Sequence, residues 1–586
     1  MLLPRLILVL WLIVPQLAAA EPEQPQRIRI LSYNIHHAEG VDGKLDLERI
    51  AKVIRESQAD VVALQEVDHI VHRSGSEDQP KQLAQQLGMH HVFGGNIELQ
   101  GGRYGNALLS RFPITSSVNH LLPNTGGGEQ RGVLQVELAL PQSQRLTVLA
   151  THFDHRPDPA QRLDSAKFIN TLAESISGHA VCLAGDLNAV PTSSVLEELR
   201  NHWSRSSREE HFTIPVAQPT RQIDFVMPAR SSFNGDFGIR VLATKVLDEA
   251  TASDHRGIWV DMELYRKVSL DEPVSRIAFG SCIKQDLDCP ILETISDQHP
   301  ELVLFLGDNI YGDTSDIGLL RQKYAKLGDK PEFQRLVAAA RVMATWDDHD
   351  YGLNDGGNDF EIRDESQAAF MDFWQVPQQS PRRKSPGVYD ASVFGPPDKR
   401  LQVIMLDTRY FRSPLKKGEK RVGGVYEPDD AADKTMLGEA QWAWLAKQLR
   451  QPAEVRLVVT SIQCIASSAG QETWANLPRE RQRLFDLIKQ TQAKGIVLLS
   501  GDRHWSELSR LDKSIVGYPL YELTSSSFNQ NHPRGTPTEN HYRADPKTYH
   551  RPNYGLIEID WSGPSPSIRL QIRNLQSTVE IEKRLP

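Results

Sequence analysis

The sequence predicts two different α/β domains in tandem, each built as layers of sheet and helix, and three observations lead there. Its 586 residues exceed what one hydrophobic core supports, so two or more folded units are expected. Short apolar strand-like runs alternate with helical patterns from Arg27 to about Leu264, and a second alternating pattern starts at Arg276. Between them, Tyr265 to Ser275 has no clear period and reads as a linker. The expected organisation is therefore 27–264, a linker at 265–275, and 276–586, with no internal repeat relating the two halves.

In the first half, Arg27 to Asn34 reads as a strand, and Asp46 can cap a helix whose Leu47, Ile50, Val53 and Ile54 share one face. Val61 to Gln65 reads as a buried strand. Val133 to Leu140, the turn at Pro141 to Gln144 and Leu146 to Thr151 read as an antiparallel hairpin, so the sheets should be mixed. In the second half, Arg276 to Gly280 and Leu302 to Leu306 read as strands. Leu437 to Leu449 reads as a helix, with Trp442 in the core and Trp444 on the surface.

The composition, 39% hydrophobic and 24% charged, is that of an ordinary globular protein. At the N-terminus, Arg5, the apolar run Leu6 to Val14, Pro15 and Ala18-Ala19-Ala20 before Glu21 read as a signal peptide over residues 1–20. The apolar run falls short of the ~20 residues that span a bilayer, so the expected product is exported, periplasmic or secreted, with no transmembrane segment after cleavage. Four cysteines cannot be the framework of so long a chain. Cys182 reads as a buried thiol, and Cys289 and Cys464 could pair, although connectivity does not follow from sequence. A net charge of −9 lacks the basic footprint of a protein that grips long nucleic acid, so no stable nucleic-acid binding is expected, and protein partners are not indicated.

Polar residues placed just after apolar strands gather at strand carboxyl ends, where α/β proteins build their sites. The first half has five such places: Asn34, Glu66, His152, Asp186 with Asn188, and Asp254-His255. Each alone could be a satisfied loop residue; five in order point to one site. The pairs His36-His37 and His90-His91 could mimic metal clusters, and ordinary loop or packing roles are favoured for them.

The segments Ser-Tyr-Asn-Ile-His, Leu-Gln-Glu-Val, Gly-Asn-Ala-Leu-Leu-Ser-Arg, Thr-His-Phe, Gly-Asp-Leu-Asn, Ile-Asp-Phe-Val and Ser-Asp-His resemble the ordered motifs of the endonuclease/exonuclease/phosphatase family, over roughly Arg27 to Leu264. The resemblance implies a four-layer sandwich, phosphoester hydrolysis and a divalent metal, usually magnesium. It makes Glu66 the main metal ligand, with Asn34 and Asp254 contributing. Asp186 becomes the base or orienter of the attacking water, held by Asn188. His152 and His255 donate to phosphate oxygens, and Asp254 fixes the tautomer of His255. Asn106 and Asp224 match further family positions, Asn106 toward substrate. Hard oxygen ligands suit magnesium, and attack on a phosphate ester needs charge neutralisation and an activated water.

The second half carries Phe-Gly-Ser-Cys282, Leu-Gly-Asp308-Asn-Ile-Tyr311, Thr-Trp-Asp-Asp348-His-Asp and Leu-Ser-Gly-Asp502-Arg-His504. Oxygen, nitrogen and thiolate donors together suggest a transition metal beside a harder ion. These segments resemble the alkaline phosphatase D family from about Arg276 to the C-terminus, which implies a metallophosphoesterase-type fold. By that resemblance Cys282, Asp308 and Tyr311 hold iron, Asp348 and Asp502 sit at or between the metals, and His504 holds the second ion, commonly calcium. Another divalent pair would satisfy the same donors. His349 and Asn309 are expected to face the phosphate. Asp350 and Asp355 stand where Glu and Asn are expected, which leaves the second-metal ligation open. Cys282 could instead be a plain buried or disulfide-bonded cysteine, and Asp347 to Asp350 a solvated acidic loop.

The expected function is an exported metal-dependent phosphoesterase acting on phosphate diesters, monoesters or both at two sites, for phosphate release. The alternatives are an extracellular nuclease or phospholipase-type phosphodiesterase, or one active domain joined to a phosphate-binding module.

Overall fold

The structure, a computed structural model, describes residues 25–586 apart from 177, 201, 208, 230–234, 422–423 and 533–537. The signal peptide expected over 1–20 lies outside the described residues. Among them, no helix is long and apolar enough to cross a membrane.

The first half contains β1 (Gln26–Asn34), β2 (Val61–His69), β3 (His90–Leu99), β4 (Gly102–Ser110), β5 (Ile114–Leu121), β6 (Gly132–Ala139), β7 (Arg145–His152), β8 (Ala180–Asp186), β9 (Asp224–Pro228), β10 (Phe237–Val246) and β11 (Ile258–Arg266). They form two mixed sheets, β10-β11-β1-β2-β4-β3 and β5-β6-β7-β8-β9. The period-two alternation of β1 explains the layering. Ile28 and Ile30 face the inter-sheet core with Val136, Val148 and Cys182, while Leu31 and Tyr33 face the outer core. There they meet Ile50, Val53 and Ile54 of the helix Leu47–Ser57, whose N-terminus is capped by Asp46 accepting from the Arg49 N–H at 2.9 Å. Helices Ala160–Ser175 and Ser194–Leu199 cover the second sheet with Ile169, Val195 and Leu196. The order helix, sheet, sheet, helix is the four-layer arrangement expected.

The second half contains β12 (Arg276–Gly280), β13 (Leu302–Phe305), β14 (Arg341–Ala344), β15 (Asp390–Phe394), β16 (Leu401–Met405), β17 (Lys417–Arg421), β18 (Gly424–Tyr426), β19 (Val455–Val459), β20 (Ile496–Ser500), β21 (Glu507–Leu511), β22 (Leu520–Thr524), β23 (Asn553–Asp560), β24 (Ser567–Asn574) and β25 (Val579–Leu585). Two six-stranded sheets, β14-β13-β12-β23-β24-β25 and β15-β16-β19-β20-β22-β21, close on a core that includes Ile277, Leu304, Val403, Leu457 and Val497. The runs β12-β13-β14 and β16-β19-β20-β22 are parallel, so their carboxyl ends emerge together. Helix Gly438–Leu449 buries Trp442, while Trp444 is only partly covered, as expected.

One expectation is corrected, and the linker at 265–275 gains detail. It packs against both halves. β11 runs through Arg266, Lys267 is buried and its ammonium donates to the Val337 carbonyl at 2.6 Å, and Arg341 reaches back to Asp236 and the Val268 carbonyl. Helix Pro331–Ala339 of the second half packs on β10 and β11 of the first. Gly238 permits that approach, because a Cβ there would stand 2.0 Å from the Ala338 carbonyl oxygen. The cysteines are all unpaired: Cys289 and Cys464 lie in separate cores on opposite sides of the second half and cannot form a disulfide.

Candidate active sites

The first site forms where strand ends of the two sheets of the first half meet. Parallel pairing places His152, the last residue of β7, beside Asp186, the last of β8, and antiparallel pairing sets Asp186 opposite Asp224 of β9. Across the interface, the Asn34 side-chain amine at the end of β1 donates to Glu66 Oε1 at 3.0 Å and to Asp186 Oδ2 at 3.2 Å. Nε2 of His152 and of His255 lie 3.4 and 3.7 Å from that same Asp186 oxygen. Asn188 holds Asp186 through its backbone N–H, 2.9 Å from Oδ1. The structure thus gathers Asn34, Glu66, His152, Asp186, Asn188 and His255 into one largely buried cluster. Burial would push Asp186 up, but the two imidazoles hold it below the usual carboxylate range. His255 is the converse: burial opposes its charge, yet the carboxylates of Asp224 and Asp186 push it up to about 10.

Three details differ from expectation. The partner of His255 is Asp224, whose Oδ2 lies 3.0 Å from His255 Nδ1 and also accepts from the Thr213 hydroxyl at 2.6 Å. Asp254 instead meets the Ser253 hydroxyl at 3.4 Å, because adjacent residues on a turn diverge whereas β8 and β9 carry Asp224 across to His255. Asn34 presents its amine to the carboxylates, its oxygen being taken by the His36 N–H at 3.1 Å. Asn106 is buried and its amine donates to the Gly132 carbonyl at 3.0 Å, a contact that braces one sheet against the other. Sequence reasoning missed Arg131, whose buried guanidinium lies 3.0 Å from His152 Nδ1 and 3.3 Å from His155 Nδ1.

The second site lies at the carboxyl ends of β12, β13, β14 and β20. Asp308, Asp347, Asp348 and Asp502 each bring an oxygen within 4.8 Å of the others. Cys282 Sγ stands 3.3 Å from Asp308 Oδ2 and 3.1 Å from the Ser526 hydroxyl. Cys282, Asp308, Asp502 and His504 all adopt positive φ, between 52° and 67°, which turns these strand-end loops back over the site. Burial, then repulsion from Cys282 and the neighbouring carboxylates, drives Asp308 well above its ordinary value, and burial first pushes Asp502 up to about 6. Carboxylates that so oppose one another's ionisation are a counter-charge in search of a cation.

The remaining expected residues are placed as follows. The Tyr311 hydroxyl and His504 Nε2 are 2.8 Å apart, so these two residues, expected on different ions, touch each other. His349 tilts over the Tyr311 ring at 4.1 Å, and its Nδ1 lies 2.6 Å from Asp313. Asn309 does not turn its amine outward: it donates to the Thr345 carbonyl at 2.8 Å and Asp350 at 2.6 Å, leaving its buried oxygen without a partner. Asp350 lies beneath the site, accepting the backbone N–H groups of Asp308, Asn309 and Asp347. Asp355 accepts from the Tyr426 hydroxyl at 2.6 Å and donates its N–H to Asp348. Sequence reasoning gave no role to Arg409, Arg412 or Glu472. Arg409 is fully buried between Asp347 and Glu472, and Arg412 also pairs with Glu472.

Two mixed α/β folds, each with a carboxylate and histidine cluster at its strand ends, define a hydrolase of phosphate esters. Residues 31–255 match the endonuclease/exonuclease/phosphatase family, and residues 278–565 match the PhoD-like phosphatases, so the chain joins one domain of each family. It is 27% identical over 261 residues to the uncharacterized protein YbhP of Escherichia coli strain K12, covering 42% of this chain and 100% of that protein. It is 24% identical over 281 residues to alkaline phosphatase D of Bacillus subtilis strain 168, covering 41% of this chain and 47% of that protein. Among solved structures, an endonuclease/exonuclease/phosphatase from Beutenbergia cavernae is 26% identical with a TM-score of 0.35, covering 43% of this chain and 75% of the other. A structure of PhoD is 15% identical with a TM-score of 0.44, covering 80% of this chain and 91% of the other.

Proposed function

We propose that the chain is an exported, metal-dependent phosphoesterase that releases phosphate from diesters, monoesters or both at two independent sites. The observation that carries this reading is the pair of separate buried clusters, one around Asp186 and one around Asp308, each combining carboxylates with imidazoles at strand carboxyl ends. Export rests on the N-terminal sequence pattern.

The donor sets fit the metals that the families imply. At the first site, the carboxylate of Glu66, which accepts from the Asn34 amine, is a hard-oxygen donor suited to magnesium. At the second, Cys282, Asp308 and Tyr311 would hold iron, Asp348 and Asp502 would sit at or between the metals, and His504 would hold calcium or another divalent ion. The orphaned oxygen of Asn309 and the unpartnered Asp347 Oδ2 are further buried acceptors there. Bound metal would neutralise phosphate charge and lower the pKa of a water. The chain's own groups do the rest. Ionised Asp186, held by the Asn188 N–H, accepts a proton from the attacking water. His255, kept protonated by Asp224, and His152 donate to the phosphate oxygens. In the second site His349, oriented by Asp313, takes the equivalent donor position.

The test is hydrolysis of chromogenic phosphate monoesters and diesters by the wild type, Asp186→Ala and Asp308→Ala, each chelated and then supplied with magnesium, calcium or iron. Two independent sites require each substitution to abolish a different metal-dependent activity. If one substitution removes all activity while the other removes none, the silent domain is a phosphate-binding module or an enzyme of narrower substrate.

A further inference from the structure

His36 and His37 follow directly on the first site, and the structure places one ligating atom from each within 4.8 Å of a Glu66 oxygen and of each other. Three consecutive residues, His36, His37 and Ala38, have φ of 45°, 43° and 67°. A left-handed run in non-glycine residues is costly, and here it brings the two imidazoles edge to face, 4.6 Å apart. Glu66 stands in a like position, at φ 60° within an irregularity of β2 between Leu64 and Val67. The turn is held: the Gln79 amine donates to the His37 carbonyl at 2.8 Å, and the His36 N–H donates to Asn34 at 3.1 Å.

The hydrogen bonds assign the tautomers. Nδ1 of His36 lies 3.1 Å from the Glu39 carbonyl oxygen, which can only accept, so Nδ1 carries the proton and Nε2 keeps its lone pair. Nε2 of His37 lies 3.2 Å from a Glu39 carboxylate oxygen, so Nε2 carries the proton and the lone pair is on Nδ1. That Nδ1 is buried and has no partner, in a residue only 7% exposed. A buried imidazole lone pair facing nothing is a cost that packing alone does not explain. One residue, Glu39, thus orients both rings by their outer nitrogens, the arrangement by which proteins hold metal-ligating histidines.

We propose that His36, His37 and Glu66 form a second metal position in the first domain, selective for a zinc-class divalent cation. Two imidazoles and one carboxylate are a borderline-soft donor set that favours such ions over magnesium. Glu66 is shared with the proposed magnesium position, so the two cations would share one carboxylate. This goes beyond the proposed hydrolysis and does not depend on it.

The experiment is zinc titration of the chelator-stripped full chain, followed by calorimetry and metal analysis. The proteins compared are the wild type, His36→Gln/His37→Gln, and the control His90→Gln/His91→Gln, which alters an exposed pair. Zinc taken up by the second domain is common to all and cancels. The wild type and the control should bind one equivalent more than His36→Gln/His37→Gln, and His37→Gln alone should weaken that equivalent about 10- to 100-fold. Equal stoichiometry and affinity in all of them would overturn the proposal. If the double variant does not fold, cobalt substitution of the wild type and of His36→Gln decides, by whether a visible ligand-field band is lost. Asp186→Ala should abolish hydrolysis at the first site yet retain this equivalent, which separates failure of this site from failure of the hydrolytic reading.

Discussion

The guanidinium of Arg131 lies 3.0 Å from Nδ1 of His152, and this contact settles which nitrogen of that imidazole carries its proton. Arginine can only donate, so Nδ1 accepts and the proton is on Nε2, 3.4 Å from Asp186 Oδ2. The Asn188 amine, 3.2 Å from the same Nε2, is then satisfied by the Phe153 carbonyl instead. His152 is thereby oriented with its Nε2 toward Asp186, whereas His255 is held through its Nδ1 by Asp224.

If Arg131 is a positioning residue, Arg131→Met should lower kcat of the first site by about 10- to 100-fold with little change in KM, the usual effect of losing an orienting partner. Arg131→Lys should recover part of it, and steady-state kinetics of the three proteins gives the comparison. A pure loss of stability would not respond to the lysine.

The pair of His255 and Asp224 makes stability depend on pH with a definite sign. A folded-state value near 10, above the ~6.5 of an unfolded histidine, means the folded protein binds this proton more tightly. The stabilisation is therefore complete below pH ~6.5 and fades as pH rises toward 10. Asp224→Asn removes the main source of that shift. The difference in unfolding free energy between wild type and Asp224→Asn should be large at pH 6 and shrink by pH 10, measured by urea denaturation of the chelated proteins.

Asp350 organises the second site without facing it. It accepts the N–H groups of Asp308, Asn309 and Asp347, the Asn309 amine and the Tyr324 hydroxyl. Asp350→Ala strands these buried donors and should cost about 3 kcal/mol or more. Asp350→Asn, which keeps one acceptor oxygen, should cost less. Thermal melting ranks the two, and equal melting temperatures would deny Asp350 this role.

Arg409 is buried with Asp347 and Glu472, so its removal leaves Asp347 without its counter-charge and Glu472 with Arg412 alone. Arg409→Met should destabilise the protein by about 3–5 kcal/mol. Adding Glu472→Gln should restore a part of that, a non-additivity that a double-mutant cycle reads directly. Strict additivity would show that the ion pair does not act as a unit.

Strand and helix placement was legible because it depends on local periodicity and capping. The alternation in β1, the Asp46 cap and the hairpin of β6 and β7 stand where the sequence puts them. The residues gathered at each site were legible for a related reason: a polar residue ending an apolar strand must emerge at the sheet edge, as His152 and Asp186 do. Partnerships were not. Adjacent Asp254 was read as the partner of His255, while the true contact comes from Asp224, 31 residues away. Arg131, Arg409 and Glu472 carry no local signal, since an isolated charged residue reads the same on a surface as in a buried network. The packing of the linker was equally invisible: Tyr265 to Ser275 has no period, yet part of it packs between the two halves.

The sequence by itself determined two different α/β folds, their order and the residue types that each site collects, because periodicity and strand-end chemistry are written in neighbouring residues. Tertiary structure alone decided which carboxylate faces which imidazole, which nitrogen carries each proton, and that Nδ1 of His37 is left buried without a partner. Those outcomes depend on distances between segments far apart in the chain, and a hydrogen bond is specified only when both ends are in place.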